Sequence, residues 1–206
     1  MKNFVICIGR QYGSGGREIG ERLSQKLGVP CYDKLLLLKA AEESGIHISA
    51  VENSDERPIN PGFFMGGNMF ADITGISQSF YSDSLSVFEA EKNVIEKAAK
   101  ESSCIIIGRC AQYILRDNEN ENVLSAFIYA DDEERIRRVA ERNSITEKQA
   151  KSRISKIDRM RRQYFDFYCD TKWGSKESYD LMLSSTHFGI DGCVDILENS
   201  IKNMEK

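Results

Sequence analysis

The sequence predicts a layered α/β/α domain built on a five-stranded parallel sheet, and three observations carry that prediction. First, a continuous apolar run, Phe4 to Ile8, leads straight into a glycine-rich loop and then a helical pattern. Such a run is typical of a parallel strand covered on both faces. Second, strand-like and helical segments alternate along the chain, which implies a parallel sheet with helices on both sides. Third, Gly9–Arg17, Asp33, Gly108-Arg109 and Ala130-Asp131 all directly follow strand-like segments. In a parallel sheet those ends share one edge, where ligands bind, so these residues are expected to converge.

The elements follow in order. After Phe4–Ile8 come Gly9, Gly13, Gly15 and Gly16, and from Arg17 the residues Ile19, Leu23 and Leu27 stack on one helical face. Gly28 is placed to stop that helix. Val29–Asp33 reads as a second strand and Lys34–Glu43 as a helix. Residues 52–85 change character: Pro58 and Pro61 break any helix, and Phe63, Phe64, Met65, Met69 and Phe70 interleave with glycines. This insertion suits a flap, local packing or a homodimer contact. Ser84–Lys100 is a long helix, Cys104–Ile107 a buried strand and Val123–Tyr129 another. Asp131-Asp132 is placed to cap a helix carrying Ile136, Val139 and Ala140. Thr146 and Gln149 have the capping-box spacing and open a helix bearing Ala150, Ile154, Ile157, Tyr164 and Tyr168. Tyr179–Leu183 is the last strand, and Ile190, Val194, Leu197, Ile201 and Met204 line a closing helix. The domain divides into a core of about 1–51 and 86–206, the insertion, and an arginine-rich segment of about 144–175.

Composition narrows the function. A net charge of -4 offers no overall attraction to nucleic acid or acidic lipid. The six cysteines contain no C-x-x-C pair, which fits reduced thiols and neither a disulfide framework nor a zinc site. No stretch approaches a membrane span or a signal-peptide core, so a cytoplasmic protein is expected. His47 and His187 are the only histidines, too few for a multi-histidine metal site.

Three constellations point to chemistry. The glycine loop can curl so that successive N–H groups face an anion, with the positive end of a helix dipole behind them. Gly13, Ser14, Gly15, Gly16 and Arg17 are the candidate phosphate binders; the bare alternative is a tight strand-to-helix turn. The usual Lys and hydroxyl are replaced by Gly16-Arg17-Glu18. Next, Arg153, Lys156, Arg159, Arg161 and Arg162 crowd one helix with only Asp158 against them. Arginines around a migrating phosphoryl group are catalytic candidates, here Arg17, Arg159, Arg161 and Arg162, although a solvated helix face gives a similar run. Last, Asp33 and Arg109 follow strands: the acid suits a ribose, a base or an N-cap, the arginine a base, a phosphate or a salt bridge. A rival reading uses Gly9-x-x-x-Gly13-x-Gly15 with Tyr168-x-x-x-Lys172, the pattern of NAD(P)-dependent short-chain dehydrogenases.

Taken in order, Gly9–Gly20, Tyr32-Asp33-Lys34, Ile106–Ala111, Phe127–Ala130, Lys156–Asp158, Lys172-Trp173-Gly174, Tyr179–Leu181 and Gly189–Gly192 resemble the cytidylate kinases, and more narrowly the bacterial cytidylate-kinase-like family. The resemblance implies a P-loop NTPase fold with a helical NMP-binding insertion and an arginine-rich lid. It also implies transfer of the γ-phosphate of ATP to a nucleoside monophosphate such as CMP or dCMP, with Mg2+. By position it assigns Gly13–Arg17 to the donor phosphates, and Asp33, Lys39 and Arg109 to the acceptor. Asp158 and Arg162 fall in the lid, with Asp158 counted toward the acceptor. Three departures stand out. Cys110 replaces an aspartate suited to the cytosine amino group, Ile107 replaces an acid, and the P-loop Lys and hydroxyl are absent. The magnesium ligands are therefore unassigned, and a non-catalytic nucleotide sensor is the alternative.

Overall fold

In the computed structural model, residues 3–33, 76–116 and 122–204 are described. The helix expected at Lys34–Glu43, the candidate Lys39 and the Met/Phe-rich stretch lie outside them. Five strands form one parallel sheet in the order β2-β3-β1-β4-β5. They are β1 (Val5–Arg10), β2 (Cys31–Tyr32), β3 (Cys104–Ile107), β4 (Val123–Tyr129) and β5 (Leu181–Ser184). The described helices are α1 (Gly16–Leu27), α2 (Ile76–Glu101), α3 (Ala111–Leu115), α4 (Asp132–Asn143), α5 (Glu147–Tyr168) and α6 (Ser185–Met204).

The three layers follow from strand alternation. On β1, Val5 and Cys7 face one side with Ile95, Cys104, Ile106, Phe127 and Phe165, beneath α2 and α5. Ile6 and Ile8 face the other side with Ile19, Leu23, Ile105, Ile128, Val194 and Leu197, beneath α1 and α6. Both faces of the central strands are thus covered, which is why Val5–Ile8 and Cys104–Ile107 are apolar without interruption.

Several boundaries differ from expectation, each for a local reason. Val29 is not in β2: its N–H donates to the Ser24 carbonyl at 3.2 Å and its carbonyl accepts from Ser24 Oγ at 2.6 Å, closing α1 behind the left-handed Gly28. β5 starts at Leu181; just before it Asp180 is tied to Ser125 of β4, its N–H donating to the Ser125 carbonyl at 3.0 Å and its carboxylate accepting from the Ser125 N–H at 2.8 Å and Oγ at 2.6 Å. α2 begins at Ile76, inside the segment set apart as an insertion; no glycine or proline interrupts residues 76–101. Asp131 occupies the N-cap of α4, yet its side chain makes no capping bond. α6 bends at Gly189, whose φ is 68°.

The capping box of α5 is present. The Gln149 N–H donates to Thr146 Oγ1 at 3.3 Å, and Gln149 Oε1 accepts from the Thr146 N–H at 2.9 Å. Thr146→Ala is expected to cost about 1 kcal/mol in urea unfolding, with Thr146→Ser close to unchanged. Equal losses for the two variants would show that the cap is not what the hydroxyl supplies.

Candidate active site

The loop after β1 is held by its carbonyls. Arg10 O accepts from Arg161 Nη1 at 3.1 Å, Gln11 O from Ser14 Oγ at 2.9 Å and Tyr12 O from Arg135 Nε at 2.9 Å. Ser14 O accepts from Ser185 Oγ at 2.6 Å, and Gly15 O from the Ile19 N–H at 2.9 Å. Gly13 (φ 82°) and Gly15 (φ 79°) are left-handed, a conformation that strains any other residue. The backbone N–H groups of Gly13, Gly15, Gly16, Arg17 and Glu18 are left without an acceptor among the described residues. With carbonyls engaged and N–H groups open at the N-terminus of α1, the loop is electrostatically complementary to a phosphate.

α5 is latched onto this loop. Asp158 Oδ1 accepts from the Tyr12 N–H at 2.7 Å, and its other oxygen pairs with Arg135, which is 4% exposed and also reaches Asp132 at 3.0 Å. Burial pushes the Asp158 carboxyl above its ordinary range, against the Tyr12 N–H and the Arg135 charge, which pull it down. Arg161 and Arg142 lie over the Tyr12 ring at 5.5 and 5.2 Å. Beneath them Val139, Ala150 and Ile154 pack with Tyr12, so the α4–α5 hairpin and the loop form one body.

The strand-end residues converge. Gln11 Oε1 accepts from the Ala130 N–H at 3.1 Å, and Arg17 Nη2 lies 3.1 Å from Asp33 Oδ2. Arg17 is 62% exposed and also donates from Nε to Glu21 at 2.8 Å, so its guanidinium lies on the β2 side of α1. These acids hold its pKa above the ordinary value, Glu21 most strongly. A Cβ on Gly108 would collide with Arg10 Nη1, which places the Arg10 guanidinium against the end of β3.

Arg109 lies just past that end. Gly108, Arg109 and Cys110 all have left-handed φ, near 80°, 56° and 57°, which swings Arg109 inward under α2. Its Nε donates to Glu91 Oε2 at 2.8 Å, Nη2 pairs with the same oxygen, and its guanidinium carbon sits 4.1 Å from the Tyr164 ring centroid. Tyr164 also donates to Glu91 Oε2 at 3.1 Å. Burial acts to lower the Arg109 pKa, and the Glu91 carboxylate bonded to it acts to raise it, leaving it above the ordinary value. Glu91 is fully buried, and its Oε1 has no hydrogen-bond partner among the described residues.

Of the other arginine candidates, Arg162 lies over the Trp173 ring at 5.5 Å, and Arg159 is exposed on α5. The dehydrogenase pair is not assembled: Tyr168 is the last residue of α5, stacked on Phe88 at 4.0 Å, and Lys172 lies beyond the helix, 3.5 Å from Asp166. Sequence reasoning missed Arg10, Glu91, Arg135 and Arg138. Arg138 pairs with Glu134 at 3.0 Å beside the left-handed Gly15. Only Arg10 had a usable signal, since it stands at the end of β1 between Gly9 and the glycine loop.

Among the described residues no group of three or more His, Cys, Asp or Glu side chains is arranged to hold a metal, and Ser14 Oγ is engaged with Gln11. No described helix is long and apolar enough to cross a membrane.

Comparison with known proteins gives a consistent result. The model of the cytidylate kinase-like family matches residues 5–187. A cytidylate kinase of Methanococcus vannielii is 27% identical over 96% of this chain and 99% of its own length. One of Thermococcus kodakarensis is 31% identical over 56% of this chain and 58% of its own, so that match spans less than two thirds of the relative. Among solved structures, an uncharacterized protein from Eubacterium ventriosum superposes with a TM-score of 0.73 at 29% identity, covering 97% of this chain and 99% of that one. Shikimate kinase from Bacteroides thetaiotaomicron (TM-score 0.51, 12% identity, 97% and 98% covered) and a gluconokinase from Sinorhizobium meliloti (0.53, 11%, 98% and 95%) share the P-loop α/β fold.

Proposed function

The chain belongs to the cytidylate kinase-like family, and from that premise we propose that it is a phosphotransferase moving the γ-phosphate of ATP to a nucleoside monophosphate, CMP or dCMP foremost. One observation carries the reading: in the loop between β1 and α1 the carbonyls of Gln11, Tyr12, Ser14 and Gly15 are engaged by the protein, and the N–H groups of Gly13 and of residues 15–18 have no acceptor among the described residues. Such a surface favours phosphate over a neutral ligand or a cation.

The donor phosphates lie on the N–H groups of Gly13–Arg17. Arg161, already bonded to the Arg10 carbonyl, stands beside the developing charge, and Arg159 and Arg162 approach from the same helix. The acceptor lies toward β2 and β3, between Asp33 with its Arg17 partner and Arg109. Glu91 takes the Nε and Nη2 edge of Arg109, leaving the Nη1 edge for the acceptor. Lys39 belongs to the same proposal. Transfer is in line, from donor oxygen to acceptor oxygen, with no covalent enzyme intermediate. The cations offset the charge spread over the migrating group. α5 across the loop keeps water from competing with the acceptor. ATP arrives with magnesium on its own phosphates, a common arrangement in phosphoryl transfer, and no step here depends on a protein ligand to the ion.

The test is coupled ADP release with CMP, dCMP, UMP, AMP and GMP. Turnover with one of them, strongest for a cytidine nucleotide, is expected. Measurable ATP binding with no turnover on any acceptor would replace this reading with the nucleotide sensor.

A further inference from the structure

We propose that Arg10 is the cation of the phosphate loop, standing in for the lysine that such loops carry at the start of the helix. The proposal rests on the kinase reading and names a further residue for its donor site. Phosphate loops usually end in Gly-Lys-Ser/Thr, with the lysine folded back toward the terminal phosphates. In this chain the residue after Gly15 is Gly16, the first residue of α1. A Cβ built on Gly16 would lie 2.6 Å from the Arg10 Cβ and 3.2 Å from its Cγ. The stem of Arg10 therefore fills the space that a side chain at position 16 would need. Glycine at 16 and arginine at 10 are two halves of one exchange.

The head of Arg10 is fixed as closely as its stem. Its guanidinium lies against Gly108, where any Cβ would collide with Nη1. That position is at the edge between the glycine loop and the end of β3. Its carbonyl is held by Arg161, so the backbone carrying it cannot swing away while α5 is latched. Arg17, the cation that sequence spacing favours, is turned to Glu21 and Asp33 instead. An arginine at this place can hold two phosphate oxygens in a rigid planar fork, a geometry that the point charge of a lysine does not impose.

Arg10→Gln, Arg10→Lys and Arg17→Gln are to be compared by calorimetric affinity for ATP and for inorganic tripolyphosphate, with thermal unfolding as the control for folding. Arg10→Gln is expected to weaken both ligands about 10- to 100-fold, the range for losing a charge-assisted hydrogen bond. Arg10→Lys should recover part of that, and Arg17→Gln should change ATP affinity less than about threefold, a small fraction of that range. The decisive pair is Gly16→Lys alone against Gly16→Lys with Arg10→Gly. The single variant meets the Arg10 stem and should lose stability and ATP affinity; the double moves the cation back to the helix start and should regain both. Unchanged affinity in Arg10→Gln, a larger loss in Arg17→Gln, or no rescue in the double variant would overturn the assignment. So would absence of ATP and tripolyphosphate binding in the parent protein. Because the readout is binding, ATP affinity that depends on Arg10 without turnover on any acceptor would reject the kinase reading and leave this assignment standing.

Discussion

Replacing Glu91 by alanine is expected to destabilise the protein by about 3–5 kcal/mol, the range for removing one partner of a buried ion pair. Glu91 is fully buried on α2 and receives both Arg109 and the Tyr164 hydroxyl on a single oxygen. Without it, a guanidinium only 17% exposed loses its countercharge, and Tyr164 loses its acceptor. The cation–π contact with Tyr164, worth about 2 kcal/mol when desolvated, falls short of that loss. The double variant Glu91→Leu, Arg109→Met separates fold from function. It removes both charges, so stability should return to within about 1–2 kcal/mol of the parent. Acceptor binding should not return, because the Nη1 edge proposed to hold the monophosphate has gone. Urea unfolding reads the first quantity and the acceptor KM the second. A stable double variant with an unchanged KM would make Arg109 a purely structural residue; a double variant as unstable as Glu91→Ala would show that the pair is not the source of the loss.

That pair also shows where the sequence could be read and where it could not. The sheet was legible because its central strands are short, largely apolar runs, and burial on both faces leaves little freedom in composition. The loop was legible because closely spaced glycines after a strand have few structural uses. Their neighbours on the strand ends could be placed at one edge by topology alone. Glu91 was not legible. It sits one helical turn from Phe88 and Ile95 among apolar residues, and a lone acid on a helix reads as solvent-facing unless its partner is known. That partner, Arg109, is 18 residues away in the chain and reaches Glu91 only because three successive residues adopt left-handed φ. The arginine run on α5 was visible, but not its division of labour. Helical spacing places Asp158 and Arg161 on adjoining positions of one face, yet only the packed α4–α5 hairpin turns that face to the loop. The Arg17–Asp33 pair was hidden for a related reason: one residue's shift along a helix is a rotation of about 100°, and spacing alone does not say that this position faces Asp33.

Asp158→Asn is expected to act on both stability and nucleotide binding, which a simple surface charge would not do. The substitution keeps an oxygen for the Tyr12 N–H but sets an amide, or a neutral oxygen, against Arg135. Arg135 is 4% exposed, and the exposed Asp132 is its remaining carboxylate partner. The cost should be about 3–5 kcal/mol in urea unfolding. Arg135 also donates Nε to the Tyr12 carbonyl, so both polar groups of the residue at the crest of the loop depend on this one pair. Loosening it should let the loop carbonyls turn inward, where they repel phosphate. ATP affinity should therefore fall about tenfold or more in protein still folded at low temperature, equivalent to about 1.4 kcal/mol. The paired replacement Asp158→Leu, Arg135→Met is the control. Its apolar groups suit the cluster of Val139, Ala150 and Ile154, so stability should recover. The Tyr12 N–H and carbonyl would still lack partners, so ATP affinity should stay low. Recovery of stability and affinity together would mean that the latch acts only through the fold, and loss of neither in Asp158→Asn would remove the latch from the site altogether.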